Sequence, residues 1–393
     1  MDMRLAWLAV GTFTISSVGF AFSGLLPVIS ADMNISIATA GYVLIAYALA
    51  YAVGAPVLSA FGGALDRRWL LCGALLAFVA GNGLAGSSGT FSWLIMAQVM
   101  MGAAAGLFVA TAQATAVAIA GPDHRARAIA IVYAGTAFAV AFGSPLGSLF
   151  AALWGWRVTF LAATIVGLVC AAVLWLRLPK DMVGTKLTLG ERLAVVVRPG
   201  IGSSLLVTLI YLAGGFCVVA YLGPIATEGA GLSQLAIPAV LLAFGIGAVI
   251  GNTAGGYLSD RIGATSVVKM SLAASIVLSI AMAVGLKVLP AAVAGPFLIG
   301  VMIVWGSVGW AFNPAQGSRL AAYAPEAVQV TLSANVSALY VGIALGTTIG
   351  GQVLEFASPA DLGLVAAIFP ALGLAIVYAS APAPVRAAKM PAE

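Results

Sequence analysis

The sequence predicts an all-α membrane protein whose twelve transmembrane helices form two pseudo-symmetric six-helix bundles. Three observations predict it. Hydrophobic residues make up 62% of the chain and charged residues 7%, against roughly 45–50% and about 25% in soluble domains. A spanning helix takes about 20 apolar residues, so the length allows about twelve spans with short loops and no soluble domain. The third observation is a charged knot between apolar runs, FGGALDRRWLL from Phe61 to Leu71, which returns as GGYLSDRIGAT near the middle of the chain. In each copy a glycine stands four residues ahead of an Asp-Arg pair: Gly62 before Asp66 and Arg67, Gly256 before Asp260 and Arg261. The chain reads as one six-helix unit written twice.

Taken in order, the apolar runs place spans at about 5–29, 38–61, 70–88, 92–118, 128–153 and 158–176, then 200–225, 234–257, 266–286, 291–313, 330–354 and 362–381. The first run exceeds the apolar core of a signal peptide and is followed by many like it, so it reads as a retained span. The one long interior loop, Arg177 to Arg198, carries Lys180, Asp181, Lys186, Glu191 and Arg192. It divides an N-terminal bundle (1–176) from a C-terminal bundle (200–382), with a linker at 177–199 and a tail at 383–393. A shift of 203 residues lays Ala112-Gln113 on Ala315-Gln316, Pro122-Asp123 on Pro325-Glu326, Gly143 on Gly346 and Gly147 on Gly350. Spans 4 and 5 thus repeat as spans 10 and 11. Parallel six-span repeats are a known plan for secondary transporters, with the substrate site near midplane between the halves.

Net charge is +5, which in a soluble protein would suggest nucleic acid. Here 15 of the 17 basic residues fall on one side if the N-terminus is inside, leaving only Arg157 and Lys287 opposite. That asymmetry reads as membrane orientation, with both termini cytoplasmic. Six of the eight tryptophans (Trp7, Trp69, Trp93, Trp154, Trp156, Trp175) fall near span ends, as an interfacial belt requires; Trp305 and Trp310 do not. Cys72, Cys170 and Cys217 are odd in number and lack paired spacing, so neither a disulfide framework nor a metal site is indicated. No cofactor is expected, and neither is nucleic acid. The expected partners are lipid, a small-molecule cargo and, as a candidate coupling ion, the proton, for a chain acting as a monomer.

Every Asp, Glu, Lys and Arg falls in a loop or within about a turn of a span end. An ionisable group at bilayer depth costs on the order of 3 kcal/mol, and none is expected at midplane. Without a fixed counter-charge, neutral or amphipathic cargo is favoured. The remaining polarity inside the spans comprises Ser16 and Ser17, Gln98 and Gln113, Tyr211, Asn252, Trp305, Trp310 and Asn313, and Asn335 and Tyr340. These are the candidate lining of a water-filled cavity; helix-to-helix hydrogen bonding is the alternative role for each. Gln113, Trp305, Trp310 and Asn335 carry most weight.

Glycines at four-residue spacing (Gly102 and Gly106; Gly143 and Gly147; Gly247, Gly251 and Gly255; Gly342, Gly346 and Gly350) share a helix face and let backbones approach. They read as surfaces on which the two halves slide, with Pro145 adding a local bend; Gly143, Pro145, Gly147, Gly346 and Gly350 are the candidate hinge. The Asp-Arg knots (Asp66, Arg67, Asp260, Arg261), with Arg125 and Arg127, read as a cytoplasmic gate that latches the outward-facing state. His124, the sole histidine, reads as solvated.

Taken together, these motifs resemble the major facilitator superfamily, and within it the bacterial drug-and-metabolite proton antiporters. GALDRR and GYLSDR are similar to that superfamily's loop signature between spans 2 and 3 and its repeat between spans 8 and 9, although Trp69 stands where a second glycine would follow. GSPLGSLFAALWGWRVTF (Gly143 to Phe160) is similar to the span 5 motif of antiporters. LLPVISADMNIS (Leu25 to Ser36), HRARAIAIVYAG (His124 to Gly135), WGSVGWAFNPAQ (Trp305 to Gln316) and NVSALYVGIALGTTIGG (Asn335 to Gly351) resemble arabinose-efflux and purine base or ribonucleoside efflux pumps. The resemblance implies the major facilitator fold in a bacterial inner membrane, and export of a small neutral metabolite or drug driven by inward proton flow. The chain departs from its relatives at Gln98, where an arginine is common, and at Gly19, where an acidic residue is. Those groups are the usual proton-coupling route, which leaves Asp32, Asp66 and Glu355 at the rims as candidate carriers. An ion-independent facilitator or uptake carrier and a transport-inactive membrane sensor stand as alternatives.

Overall fold

The computed structural model describes residues 3–62, 65–120, 125–180, 200–324 and 328–380, together with Met182, Gly190, Ala194 and 196–198. The tail and most of the linker lie outside the described residues, as does His124. Twelve helices are long and apolar enough to cross a membrane. They run α1 Met3–Met33, α2 Ile37–Gly62, α3 Arg67–Gly86, α4 Phe91–Ala120, α5 from Arg125 to Trp154, α6 Trp156–Arg177, α7 Ile201–Val219, α8 Ile237–Ile262, α9 Ala264–Val288, α10 Ala291–Tyr323, α11 Val328–Phe356 and α12 Leu362–Ala379. Among the described residues there is no strand. Both Met3 and Ala379 lie at one end of the bundle, here called the near end.

Local chemistry sets the boundaries. Asp66 caps α3, its carboxylate accepting from the Arg68 amide at 2.9 Å. Gly155 (φ 87°) and Gly263 (φ 86°) make the sharp turns α5–α6 and α8–α9, in a backbone region that side-chain-bearing residues avoid. α10 differs from expectation: it continues ten residues beyond Asn313, through Pro314, to Tyr323. A proline inside a membrane helix is tolerated where neighbouring helices satisfy the freed backbone groups. Pro27, Pro56, Pro296 and Pro370 are likewise interior. α5 is built in two parts, Arg125–Phe138 and Ser144–Trp154, joined by a π-helical turn at Ala139–Gly143 directly ahead of Pro145.

The glycine rows do not lie between the halves, contrary to the sequence expectation. A side chain at Gly102 or Gly106 would strike the α2 backbone at Tyr47 and Tyr51; at Gly247, Gly251 or Gly255 it would strike α10 at Ile303, Ser307 and Ala311. Gly342, Gly346 and Gly350 sit on Leu209, Ala213 and Cys217 of α7, and Gly143 and Gly147 on Ser17 and Ala21 of α1. Thus α2–α4 matches α8–α10, and α1–α5 matches α7–α11, each contact inside one half. The physical reason is that lipid supplies no hydrophobic drive between helices, so close backbone packing has to bind each bundle internally. Of the five candidate hinge residues, the four glycines are therefore packing positions within a half; Pro145 is buried just after the π turn.

Contacts between halves add ring stacking and side-chain bonds to close glycine packing. Tyr51 of α2 stacks on Tyr340 of α11 with ring centroids 3.7 Å apart, and Ser337 Oγ donates to the Ala52 carbonyl at 3.0 Å. At the far end Gly223 abuts Pro27, Gly351 abuts Ala38, and Gly41 lies under the Tyr221 hydroxyl. Gly245 of α8 meets Ala141 in the π turn of α5. Two ion pairs tie far-end loops, Arg157 with Asp32 at 2.7 Å and Lys287 with Asp361.

Gly251→Leu should lower the Tm of the purified protein, because the added side chain must displace the α10 backbone at Ser307; overpacking of this kind costs about 1–3 kcal/mol. Gly256→Ala, with open space around its Cβ position, should leave Tm unchanged or raise it. Equal effects at the two positions would refute the packing role.

Candidate functional site

A cavity of about 520 Å³ lies between the halves. α1, α2, α4 and α5 line it on one side and α7 to α12 on the other. Lining residues reach Ser318 and Ala321 in the last turns of α10 and Leu332 in the first turns of α11, so the cavity extends toward the near end. Away from that end it is roofed by aromatic rings: Phe20 lies 6.0 Å from Trp310 and 6.3 Å from Phe216, bridging α1 to α10 and α7.

Eight of the eleven residues expected on the cavity wall line it: Ser16, Tyr211, Asn252, Trp305, Trp310, Asn313, Asn335 and Tyr340. Three of them, Ser16, Tyr211 and Asn335, are engaged by neighbouring side chains. Ser16 lies 3.3 Å from Thr136 Oγ1, and Tyr211 bonds Ser275 while stacking on Phe312 at 4.2 Å. Thr208 donates to Asn335 Oδ1 at 2.7 Å, and Gln316 Nε2 donates to the Ser204 carbonyl at 2.6 Å and to Thr208 Oγ1 at 3.1 Å. This chain joins α7, α10 and α11 behind the wall.

Three expected residues lie elsewhere. Ser17 donates to the Phe13 carbonyl at 2.7 Å and packs against Gly143. Gln98 is fully buried near the far end of α4, with neither side-chain polar atom partnered. Its helix there packs on α2 and α3 rather than on the cavity. Gln113 does not line the cavity.

None of the three candidate proton carriers lines the cavity. Asp32 is held at the far end by Arg157 and by the Trp156 indole at 3.1 Å. Glu355 is exposed near the far end of α11, and Asp66 caps α3 at the near end. At the expected gate, Arg67 Nη1 donates to the Ala114 carbonyl of α4 and its amide to Met182 in the linker, so the first knot ties α3 to its own half. The second knot is built differently. Asp260 and Arg261 are exposed, the Arg261 guanidinium rests 4.6 Å above Tyr257, and α9 starts at Gly263 without a side-chain cap. Arg125 and Arg127 begin α5, and their side chains lie outside the described residues.

Sequence reasoning missed Phe20, Tyr51, Tyr133, Phe216 and Phe244 on the wall. Apolar rings carry no signal in an apolar span, although the hydroxyls of Tyr51 and Tyr133 met the same polarity criterion as Tyr211. Gln316 was reachable through the repeat that aligns it with Gln113.

Comparison with known proteins accords with this architecture. The sequence matches the Major Facilitator Superfamily over residues 8–347. It is 32% identical to the uncharacterized MFS-type transporter YbcL of Bacillus subtilis, covering 92% of this chain and 91% of that one. Against the inner membrane transport protein YdhP of Escherichia coli the figures are 30%, 97% and 96%, and against a chloramphenicol resistance protein of Streptomyces lividans 30%, 90% and 90%. Among solved structures, a bacterial homolog of the human lysosomal transporter Spinster, inward-facing and unoccupied, superposes with TM-score 0.72 at 15% identity over 97% of each chain. The human organic anion transporter MFSD10 gives 0.71 at 14% identity, over 95% of this chain and 99% of that one. With the family matched across most of its length and the helices in the same arrangement, the chain is a multi-pass membrane transporter, not an enzyme, and belongs to the Major Facilitator Superfamily.

Proposed function

We propose that the protein exports a small neutral or amphipathic molecule across a bacterial inner membrane by alternating access, with both termini cytoplasmic and the cavity open to the cytoplasm. One observation carries the cargo class. Among the described residues, nine aromatic side chains and no Asp, Glu, Lys, Arg or His line the cavity. Such a wall offers stacking surface and a few uncharged hydrogen-bonding groups, which suit a sugar, a nucleobase or nucleoside, or a drug-like ring. The similarity to a chloramphenicol resistance protein supports export, and the excess of basic residues at the near end supports the orientation. In the exchange, the two bundles rock about the cavity while the α2–α11 contact and the far-end seal open.

The gate reading fits the second knot best: Asp260 and Arg261 are exposed and can find partners when the near end closes, whereas Asp66 and Arg67 hold the α3 start against α4 and the linker within their own half. Proton antiport is the drive that the family resemblance implies. An ion-independent facilitator is the reading the cavity itself favours, because among the described residues no carboxylate or histidine faces it. Proteoliposomes separate the two. Substrate-driven proton movement is expected for the antiporter, and transport indifferent to an imposed pH gradient for the facilitator.

A thermal-shift screen of the purified protein against sugars, nucleosides, nucleobases and lipophilic drugs should yield a ligand that raises Tm. A response confined to strongly ionic compounds would overturn the proposed cargo class. Trp310→Ala should then weaken that ligand's binding about tenfold or more, as loss of a central aromatic anchor does, while expression is retained. Ser337→Ala removes a hydrogen bond between the halves worth about 0.5–1.5 kcal/mol. Spin-label distances across the far end should lengthen in a larger fraction of molecules; an unchanged distribution would refute the role of that contact.

A further inference from the structure

A second pocket, of about 340 Å³, opens at the near end beside the mouth of the main cavity. Gly263, Ala264, Thr265 and Ser266 line it from the start of α9, and Ser318, Arg319, Ala322 and Tyr323 from the last turns of α10. Ser318 belongs to the walls of both. Two independent features converge here. α9 is 25 residues long and starts without any side-chain cap; the Ser266 amide bonds the Gly263 carbonyl at 3.1 Å, which leaves the amides of Ala264 and Thr265 and the positive end of the dipole at the pocket. Arg319 is 5% exposed, and its Nε and Nη1 atoms are buried without a hydrogen-bond partner. Among the described residues its one charge-stabilising neighbour is the ring of Tyr323, 5.8 Å from the guanidinium carbon, near the outer limit of a useful cation–π contact.

Burying a guanidinium with two donors unmet costs several kcal/mol, and among the described residues no carboxylate lines the pocket to offset it. Asp260 stands three residues ahead of Gly263 on α8, exposed and outside the lining. The hydroxyls of Thr265, Ser266 and Ser318 face the same space and add donors. We propose that this pocket binds a phosphate group, held between the α9 amides and Arg319, and supplied either by a lipid headgroup at the membrane surface or by a free phosphate. Guanidinium and helix N-terminus are the two elements that bind tetrahedral oxyanions best. The site is separate from the uncharged cargo cavity, and it stands whether or not the export reading does.

The full-length protein in dodecyl maltoside should gain Tm, saturably, with sodium phosphate over sodium chloride at matched ionic strength, or with dioctanoyl phosphatidylglycerol over dioctanoylglycerol. A rise in the first arm alone identifies a soluble phosphate, in the second alone a headgroup, and in both the shared group. Arg319→Gln should abolish the rise and Arg319→Lys should retain part of it. Thr265→Val with Ser266→Ala, a surface change that decides the matter should Arg319→Gln fail to fold, should raise the half-saturating concentration about tenfold. Absence of a rise in the wild type overturns the site. So does an equal rise in Arg319→Gln, or an unchanged half-saturation in the double variant.

Discussion

The structure depends on backbone-to-backbone contact along rows of glycine. In lipid, burying one apolar helix face against another gains little over leaving it among acyl chains, so association has to come from close packing. The α8–α10 contact shows how: Gly247, Gly251 and Gly255 set one backbone directly on the carbonyls of Ile303, Ser307 and Ala311. The same device joins α2 to α4 and α7 to α11, and at Gly135, set on the Ala9 carbonyl, α5 to α1. Each half is thereby closed on itself before it meets the other.

What then joins the halves is a second set of contacts. α2 lies along α11, with Tyr51 stacked on Tyr340 and Ser337 bonded to the Ala52 carbonyl, and α8 packs on α5 at the π turn through Gly245. Movement between the bundles has to part this seam. The large aromatic cavity sits on that seam, which is why a wall without charge can still be selective: ring positions from both halves, such as Phe20 and Trp310, are brought together in one conformation and parted in the other.

The twelve helices were legible because apolar length and the repeated Asp-Arg knot are properties of the chain alone. Most of the polar wall was legible too, since amides and indoles at bilayer depth need partners. Gln98 shows the limit: its polarity is the same as that of Asn335, but periodicity within a long helix does not tell which face meets a neighbour and which meets a cavity. The glycine spacing was equally readable, whereas the partner of each row was not, because four-residue spacing names a face and never the helix opposite. The apolar run alone set the end of α10 at about 313, ten residues short of Tyr323, and so left out the turns that carry Gln316 and Arg319. The near-identical knots also conceal a difference, Asp66 capping α3 while Gly263 leaves α9 open, which only three-dimensional placement reveals.

The π-helical turn in α5 has a geometric consequence. One residue more than an α-helical turn would use sets every later side chain back by roughly 100° around the axis. Gly135 seats on the Ala9 carbonyl of α1 before the turn, and Gly143 and Gly147 seat on Ser17 and Ala21 after it, while Tyr133 and Thr136 reach the cavity. In an unbroken α-helix Gly143 would lie about 80° away from Gly135, so the extra residue keeps both glycines turned to one neighbour, and the wide spot it makes is where Gly245 of the opposite half rests. Shortening α5 by one residue there would swing its later glycines off α1 and part the two helices along half their length.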